Sequence, residues 1–190
     1  MQDFIDRYLR EVGNVLESLD RSVIADMIGR LDDLQRRGGR LFILGVGGSA
    51  ANASHAVNDF RKIADIEAYA PTDNVAELTA RINDDGWDTS LTESLKVSRL
   101  DRDDMILIFS VGGGSENTSV NLVQAVDHAK FVGAQVLGVV SRDGGHTLRH
   151  ADACLLIPPQ AEDTVTPLAE AFQAVVWHLF VTALARNGKE

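Results

Sequence analysis

The sequence predicts an α/β fold, a parallel sheet flanked by helices, with a helical segment placed ahead of it. Short and almost continuous apolar runs occupy residues 40–44, 104–110, 135–140 and 153–158, as expected of strands buried on both faces. Stretches with helical spacing lie between those runs, and glycine-rich turns lead out of the first three strands. Strands that alternate with helices through short turns imply parallel pairing with helices on both sides of the sheet.

The elements follow in order. Phe4, Ile5, Tyr8, Leu9, Val12, Val15, Leu16 and Leu19 recur at helical spacing, as do Val23, Ile24, Met27, Ile28, Leu31 and Leu34 after a break near Ser22. Gly38 and Gly39 end this region. An amphipathic helix ahead of a compact sheet needs a partner for its apolar face, either its own domain or a second subunit. After the first strand comes the turn Gly45-Val-Gly-Gly-Ser49, then a helix over residues 50–63. The second unit repeats this order: a strand ending at Ser110, the turn Val111-Gly-Gly-Gly-Ser115, and a helix over 120–132. The third strand meets Ser141-Arg-Asp-Gly-Gly145, and a last helix spans 166–185, with Pro167 in its first turn. Residues 68–100 are expected to add one short strand and one helix. The chain is thus expected to be one domain, with residues 1–38 as N-terminal helices and 39–190 as the α/β core.

Composition narrows the function classes. A net charge of −10 gives no footprint for nucleic acid or for an anionic membrane, so an anionic ligand must be held by local groups. The single cysteine, Cys154, cannot form an internal disulfide and lies in an apolar run, which points to a buried, inert thiol in a reducing compartment. The first residues are acidic rather than signal-like, and no run reads as a membrane span, so a cytoplasmic protein is expected.

In a parallel sheet, ligands collect at the carboxyl ends of the strands. Two turns there combine glycines, which admit a close anion, with hydroxyls and the free N–H groups of a helix start. Gly47, Gly48 and Ser49 in the first turn, and Ser110, Gly112, Gly113, Ser115 and Ser119 in the second, are the candidate phosphate ligands, with Thr118 also at hand. Neither turn contains lysine or arginine, which suits a phosphate held by neutral donors and helix dipoles. The spacing of a dinucleotide fingerprint or a P-loop is missing, so no nucleotide cofactor is expected. Glycines that merely shape tight turns are the plainer alternative.

His55 and Asp59 are four residues apart on the helix that leaves the first turn, and so share a face. Glu170 and His178 lie near one face of the last helix. Such pairs can act as general acid and base, or hold a divalent metal, or simply be exposed helix residues.

The segment GVGGSAANASHAVNDF, residues 45–60, resembles the first phosphate-loop-and-helix motif of phosphoheptose isomerases, members of the SIS (sugar isomerase) fold. It is also similar to the same motif in relatives that bind the bacterial replication initiator. FSVGGGSENTSVNLVQA at 109–125, SRDGG at 141–145 and VTPLAEAFQAVVWHLF at 165–180 resemble the later loops and the closing helix of that family. The resemblance implies a flavodoxin-like sheet and a homotetramer joined through the N-terminal helices. It further implies an isomerase that interconverts sedoheptulose 7-phosphate and a mannoheptose 7-phosphate through an enediol. Asp59 stands at the position of the family's base and His178 at that of its acid partner. Zinc, where the family binds it, would be held by His55, Asp59, Glu170 and His178. Two of these depart from the family pattern, Asp59 replacing glutamate and Glu170 replacing glutamine. Asp73 and Asn74, with Asn83, Asp84, Asp85 and Gly86, resemble the segment that lines the sugar hydroxyls; helix caps and turn residues are the equal alternative for each. A second class of function is a non-catalytic SIS module that binds a sugar phosphate or a protein partner; retention of His55, Asp59 and His178 argues against it, and aspartate in place of glutamate argues for it. A third is an isomerase or lyase-type enzyme for another sugar phosphate, for which the longer second loop and Glu170 leave room.

Overall fold

The computed structural model describes residues 1–187; the end of the expected core, residues 188–190, lies outside the described residues. Five parallel strands form one sheet in the order β2-β1-β3-β4-β5, made of β1 (Leu41–Leu44), β2 (Ala68–Tyr69), β3 (Met105–Phe109), β4 (Gln135–Val140) and β5 (Ala153–Leu156). Among the described residues eight α-helices surround it: α1 (Gln2–Ser18), α2 (Arg21–Arg37), α3 (Gly48–Lys62), α4 (Val75–Asp85), α5 (Ser90–Val97), α6 (Val120–Val132), α7 (Gly145–His150) and α8 (Val165–Asn187).

The continuous apolar runs of the strands reflect two cores. Leu41, Ile43, Met105, Leu107 and Phe109 point to a core shared with α1, α2, α3 and α8. Their alternates Phe42, Leu44, Ile106 and Ile108 point to the other face, against α5 and α6. Alternate side chains leave a strand on opposite sides, so a strand covered on both must be apolar at every position.

The carboxylate of Asp104, almost fully buried, fixes the lower end of the sheet. It takes the Arg40 guanidinium through Nε at 3.0 Å and Nη2 at 2.6 Å, and the backbone N–H of Arg40 at 3.2 Å. The remaining guanidinium donors reach the carbonyls of Ser98 and Arg99 at 2.9 and 3.0 Å. The pair locks β1 beside β3 in the register Leu41 to Met105.

The break between the first two helices falls at Leu19–Asp20 rather than at Ser22, because the Asp20 carboxylate caps α2 by accepting from the N–H groups of Ser22 and Val23. Along α1 only Val15 is buried, while Phe4, Ile5, Leu9 and Leu16 stay exposed. Residues 68–100 hold two helices instead of the one expected. Asn74 caps α4, Gly86 ends it at φ 89°, and α5 starts afresh at Ser90. The short helix α7 is likewise new.

One expectation is corrected by α8. By length and composition its residues 165–186 are apolar enough to cross a membrane. Half of that stretch is nevertheless buried inside the fold, with Trp177, Phe180 and Leu184 fully covered. Its hydrophobicity is that of a core helix packed on α2 and α3.

Cys154 sits on β5 with its sulfur against Gly138 of β4, where a side chain would not fit. Burial pushes the thiol up to about 12.

Two outcomes follow from this packing. Asp104→Ala should destabilise the fold by about 2–3 kcal/mol, a buried-pair loss lowered for the part-exposed Arg40, read from urea denaturation. Cys154 should resist Ellman's reagent at pH 8 in the native protein and react at one equivalent in denaturant, since the thiolate is the reactive form.

Candidate functional site

A cleft of about 450 Å³ opens at the carboxyl ends of β1, β3 and β4, where the strand order reverses between β1 and β3. The first turn feeds it from β1. A side chain at Gly45 would run into the backbone of Ser49 at 2.5 Å, and Gly47 takes φ 63°, ψ −126°, a conformation open essentially to glycine alone. Together they fold the chain back tightly enough for α3 to begin at Gly48, two residues earlier than the sequence suggested. The first N–H groups of α3 have no carbonyl behind them in the helix, and buried Ser49 lines the cleft beside them.

The second turn forms the opposite wall. The hydroxyl of Ser110 accepts from the N–H of Gly113 at 3.0 Å, which leaves its proton available to a ligand. The carbonyls of this turn are clamped from behind by the start of α7. His146 N–H donates to Gly114 at 2.8 Å, and Thr147 gives both its N–H and its hydroxyl to Gly113, at 2.9 and 2.8 Å. The two backbones approach so closely that a side chain on Gly113 would overlap the Gly144 carbonyl, and one on Gly145 would overlap that of Gly112. Gly112, Ser115, Thr118 and Ser119 all line the cleft. Ser119 precedes α6 at φ 52° with no capping bond from its side chain, and the loop in front of it closes on itself through Ser115 N–H to the Thr118 carbonyl at 2.8 Å.

Of the expected phosphate ligands, Ser49, Ser110, Gly112, Ser115 and Ser119 therefore face one cleft. Gly47 and Gly48 shape the helix start beside it, and Gly113 is turned toward α7. Asp73 accepts from the Ser54 hydroxyl of α3, while Asn83 and Asp84 pair with each other at 2.7 Å on the last turn of α4; none of the three lines the cleft. Arg142, Asp143 and Thr166 line it and were not singled out from sequence. The rule that located the first two turns also applies to the carboxyl end of β4, so the signal for Arg142 was present.

Behind the cleft, α3 and α8 run side by side in the same direction, and four levels of contact tie them. The Glu170 carboxylate lies where a side chain on Gly48 would stand. Asn52 donates to the Glu170 carbonyl at 2.9 Å and to Gln173 at 3.1 Å. The His55 ring meets the buried Trp177 edge-on at 4.7 Å. At the fourth level the Asp59 carboxylate stands 4.0 Å from His55 Nε2 and 3.9 Å from His178 Nε2.

His55, Asp59 and His178 thus converge, each offering one ligand atom within 4.8 Å of the others. Glu170 does not join them, because its eight-residue offset from His178 is about 12 Å along a helix. The orientation of His178 is set by its own helix: Nδ1 lies 2.7 Å from the Ala174 carbonyl, which can only accept, so Nδ1 carries a proton and Nε2 is the nitrogen that faces Asp59. Trp177 stacks on the same ring at 3.5 Å. Two imidazole nitrogens and a carboxylate oxygen with an open side form a donor set suited to zinc, and the separations lie within a small side-chain adjustment of a shared ion.

Comparison with known proteins identifies the family. Residues 7–141 match the SIS domain. The phosphoheptose isomerase of Geobacter sulfurreducens is 32% identical over 166 residues, covering 83% of this chain and 85% of that protein. The lincomycin biosynthesis protein LmbN of Streptomyces lincolnensis is 32% identical over 163 residues, covering 82% of this chain and 59% of LmbN. In fold, the chain superposes on the phosphoheptose isomerase of Neisseria gonorrhoeae with a TM-score of 0.83, at 21% identity and 96% coverage of both chains. The chain accordingly belongs to the SIS-domain family, as a sugar-phosphate isomerase of the phosphoheptose isomerase branch.

Proposed function

We propose that the protein interconverts sedoheptulose 7-phosphate and D-glycero-D-manno-heptose 7-phosphate in the cytoplasm, working as a homotetramer of single-domain chains. The observation that carries this reading is the double use of α3. Its first turn opens on the phosphate cleft, and Asp59 lies ten residues on, about 15 Å along the axis, among the acid–base groups. A substrate that uses both ends of this helix must carry its phosphate far from its reacting carbons, which favours a long-chain sugar phosphate.

In the ketose-to-aldose direction, Asp59 takes a proton from C1 while the carbonyl oxygen at C2 gains one, which gives the enediol. Return of a proton to C2 and loss of one from O1 complete the aldose. A half-buried carboxylate suits the carbon-bound proton, and the imidazole of His178 suits the transfers at oxygen. Aspartate is a methylene shorter than glutamate, so C1 of the substrate must come closer to α3 for this transfer.

His55, Asp59 and His178 would hold zinc, with Glu170 outside this set in the folded chain. Bound zinc supplies a Lewis acid that polarises a carbonyl. Nε2 of His178 has one lone pair, which either binds the ion or carries a proton. The tetramer reading is supported by exposed Phe4, Ile5, Leu9 and Leu16 on α1 and by exposed Val175 and Leu179 next to His178 on α8. A neighbouring copy on these faces would shield the acid–base groups from water.

Incubation with sedoheptulose 7-phosphate, followed by NMR, should show aldose formation. Asp59→Asn should lower kcat by about 10²–10⁴-fold with sugar-phosphate binding retained. Wild-type protein that binds the sugar phosphate without turnover would replace the enzyme reading with a non-catalytic one. Protein purified without chelator should carry one zinc per chain, lost in His55→Ala; metal-free yet fully active protein would remove zinc from the proposal and assign His178 to proton transfer.

A further inference from the structure

A chain with a net charge of −10 must hold a phosphate dianion, and among the described residues the cleft is lined by a single basic side chain, Arg142. Its backbone is fixed. The turn closes through Gly144 N–H to the Ser141 carbonyl at 2.9 Å, and Ser141 is tied to Val111 at 2.9 Å and, through its hydroxyl, to Ile157 at 2.8 Å. Arg142 itself has φ 53°, a left-handed conformation that is uncommon for a residue with a side chain. That backbone lays its side-chain stem over Gly112 of the second turn. At the far end the guanidinium forms a forked pair with Glu162, at 3.0 and 3.2 Å. Glu162 is 82% exposed and belongs to the segment just ahead of α8. The acidic side chain that does line the cleft, Asp143, is turned back to accept from Gly145 N–H at 3.2 Å.

We propose that Arg142 is the cation that receives the phosphate of the substrate, and that Glu162 holds it ready until the phosphate displaces it. This rests on the sugar-phosphate reading above and adds to it the residue that recognises the charge. An exposed ion pair contributes little to stability, so Glu162 is readily given up. A phosphate dianion offers the same planar fork two oxygens with greater charge, beside the neutral donors of Ser110 and the α3 start. Glu162 therefore acts through Arg142: it orients the guanidinium and competes with the ligand for it.

Calorimetric titration with inorganic phosphate, at constant ionic strength, tests this without recourse to turnover. Arg142→Gln should weaken phosphate binding about tenfold or more, and Arg142→Lys should recover part of the loss because charge returns without the fork. Glu162→Gln should tighten binding about two- to fivefold. In the Arg142→Gln background the Glu162→Gln change should have no effect, since its partner is gone. Circular dichroism of each variant checks that the fold is kept; both side chains are on the surface. The proposal is overturned if Arg142→Gln binds phosphate within twofold of wild type, or if Glu162→Gln tightens binding equally with and without Arg142. If these phosphate results hold while sedoheptulose 7-phosphate is not turned over, the heptose assignment falls and the role of Arg142 stands.

Discussion

The pairing of β1 with β3 governs everything above it, because each of these strands ends in one of the two walls of the cleft. Their relative height is set at the opposite end of the sheet by Arg40 and Asp104. A slip by one residue would exchange the two cores, since Phe42 and Ile43 face opposite sides. It would also move Ser49 and Ser110 out of step, although each turn alone would be unchanged. A buried ion pair is a poor source of net stability but a good source of register, and its place here, far from the ligand, fits that use.

The second constraint is the alignment of α3 with α8. Both helices start at the cleft and run in parallel away from it, so each contact level sets one distance from the cleft. Glu170 belongs to the level nearest the cleft and His178 to the level of Asp59. Between them, Asn52 with Gln173 and His55 with Trp177 hold the interval. The cleft and the cluster of His55, Asp59 and His178 are separate in space, yet their spacing is set by one helix–helix interface.

Much of this could be read from residues alone. Strands such as Met105–Phe109 were legible because burial on two faces leaves an uninterrupted apolar run. The turns were legible because glycine is needed where backbone approaches backbone, as at Gly45 and Gly113. The boundary between α4 and α5 was not, since α4 buries none of its residues and so carries a weak periodic signal. Helix α7 was hidden by its length and by a glycine pair that reads as a turn. His55 and Asp59 could be paired by their spacing, but their meeting with His178 depends on which helices become neighbours. Whether Glu170 stands with that group or apart from it depends on the same packing, and spacing along α8 gave only its face. Arg142 was passed over because cations were sought inside the glycine-serine turns, whereas the cleft is also bounded by the turn after β4.

The clamp of α7 on the second turn has a consequence for the order in which the binding site comes into being. Gly113 and Gly114 receive their hydrogen bonds from residues some thirty positions later in the chain, beyond both α6 and β4. During synthesis the turn emerges well before the residues that hold it, and it gains its final shape only when β4 has paired and α7 has docked. Ligand affinity is then a property of the completed domain rather than of the loop. A ligand that needs the completed cleft would bind the native chain and not its partly folded forms, and would shift the folding equilibrium toward the finished protein.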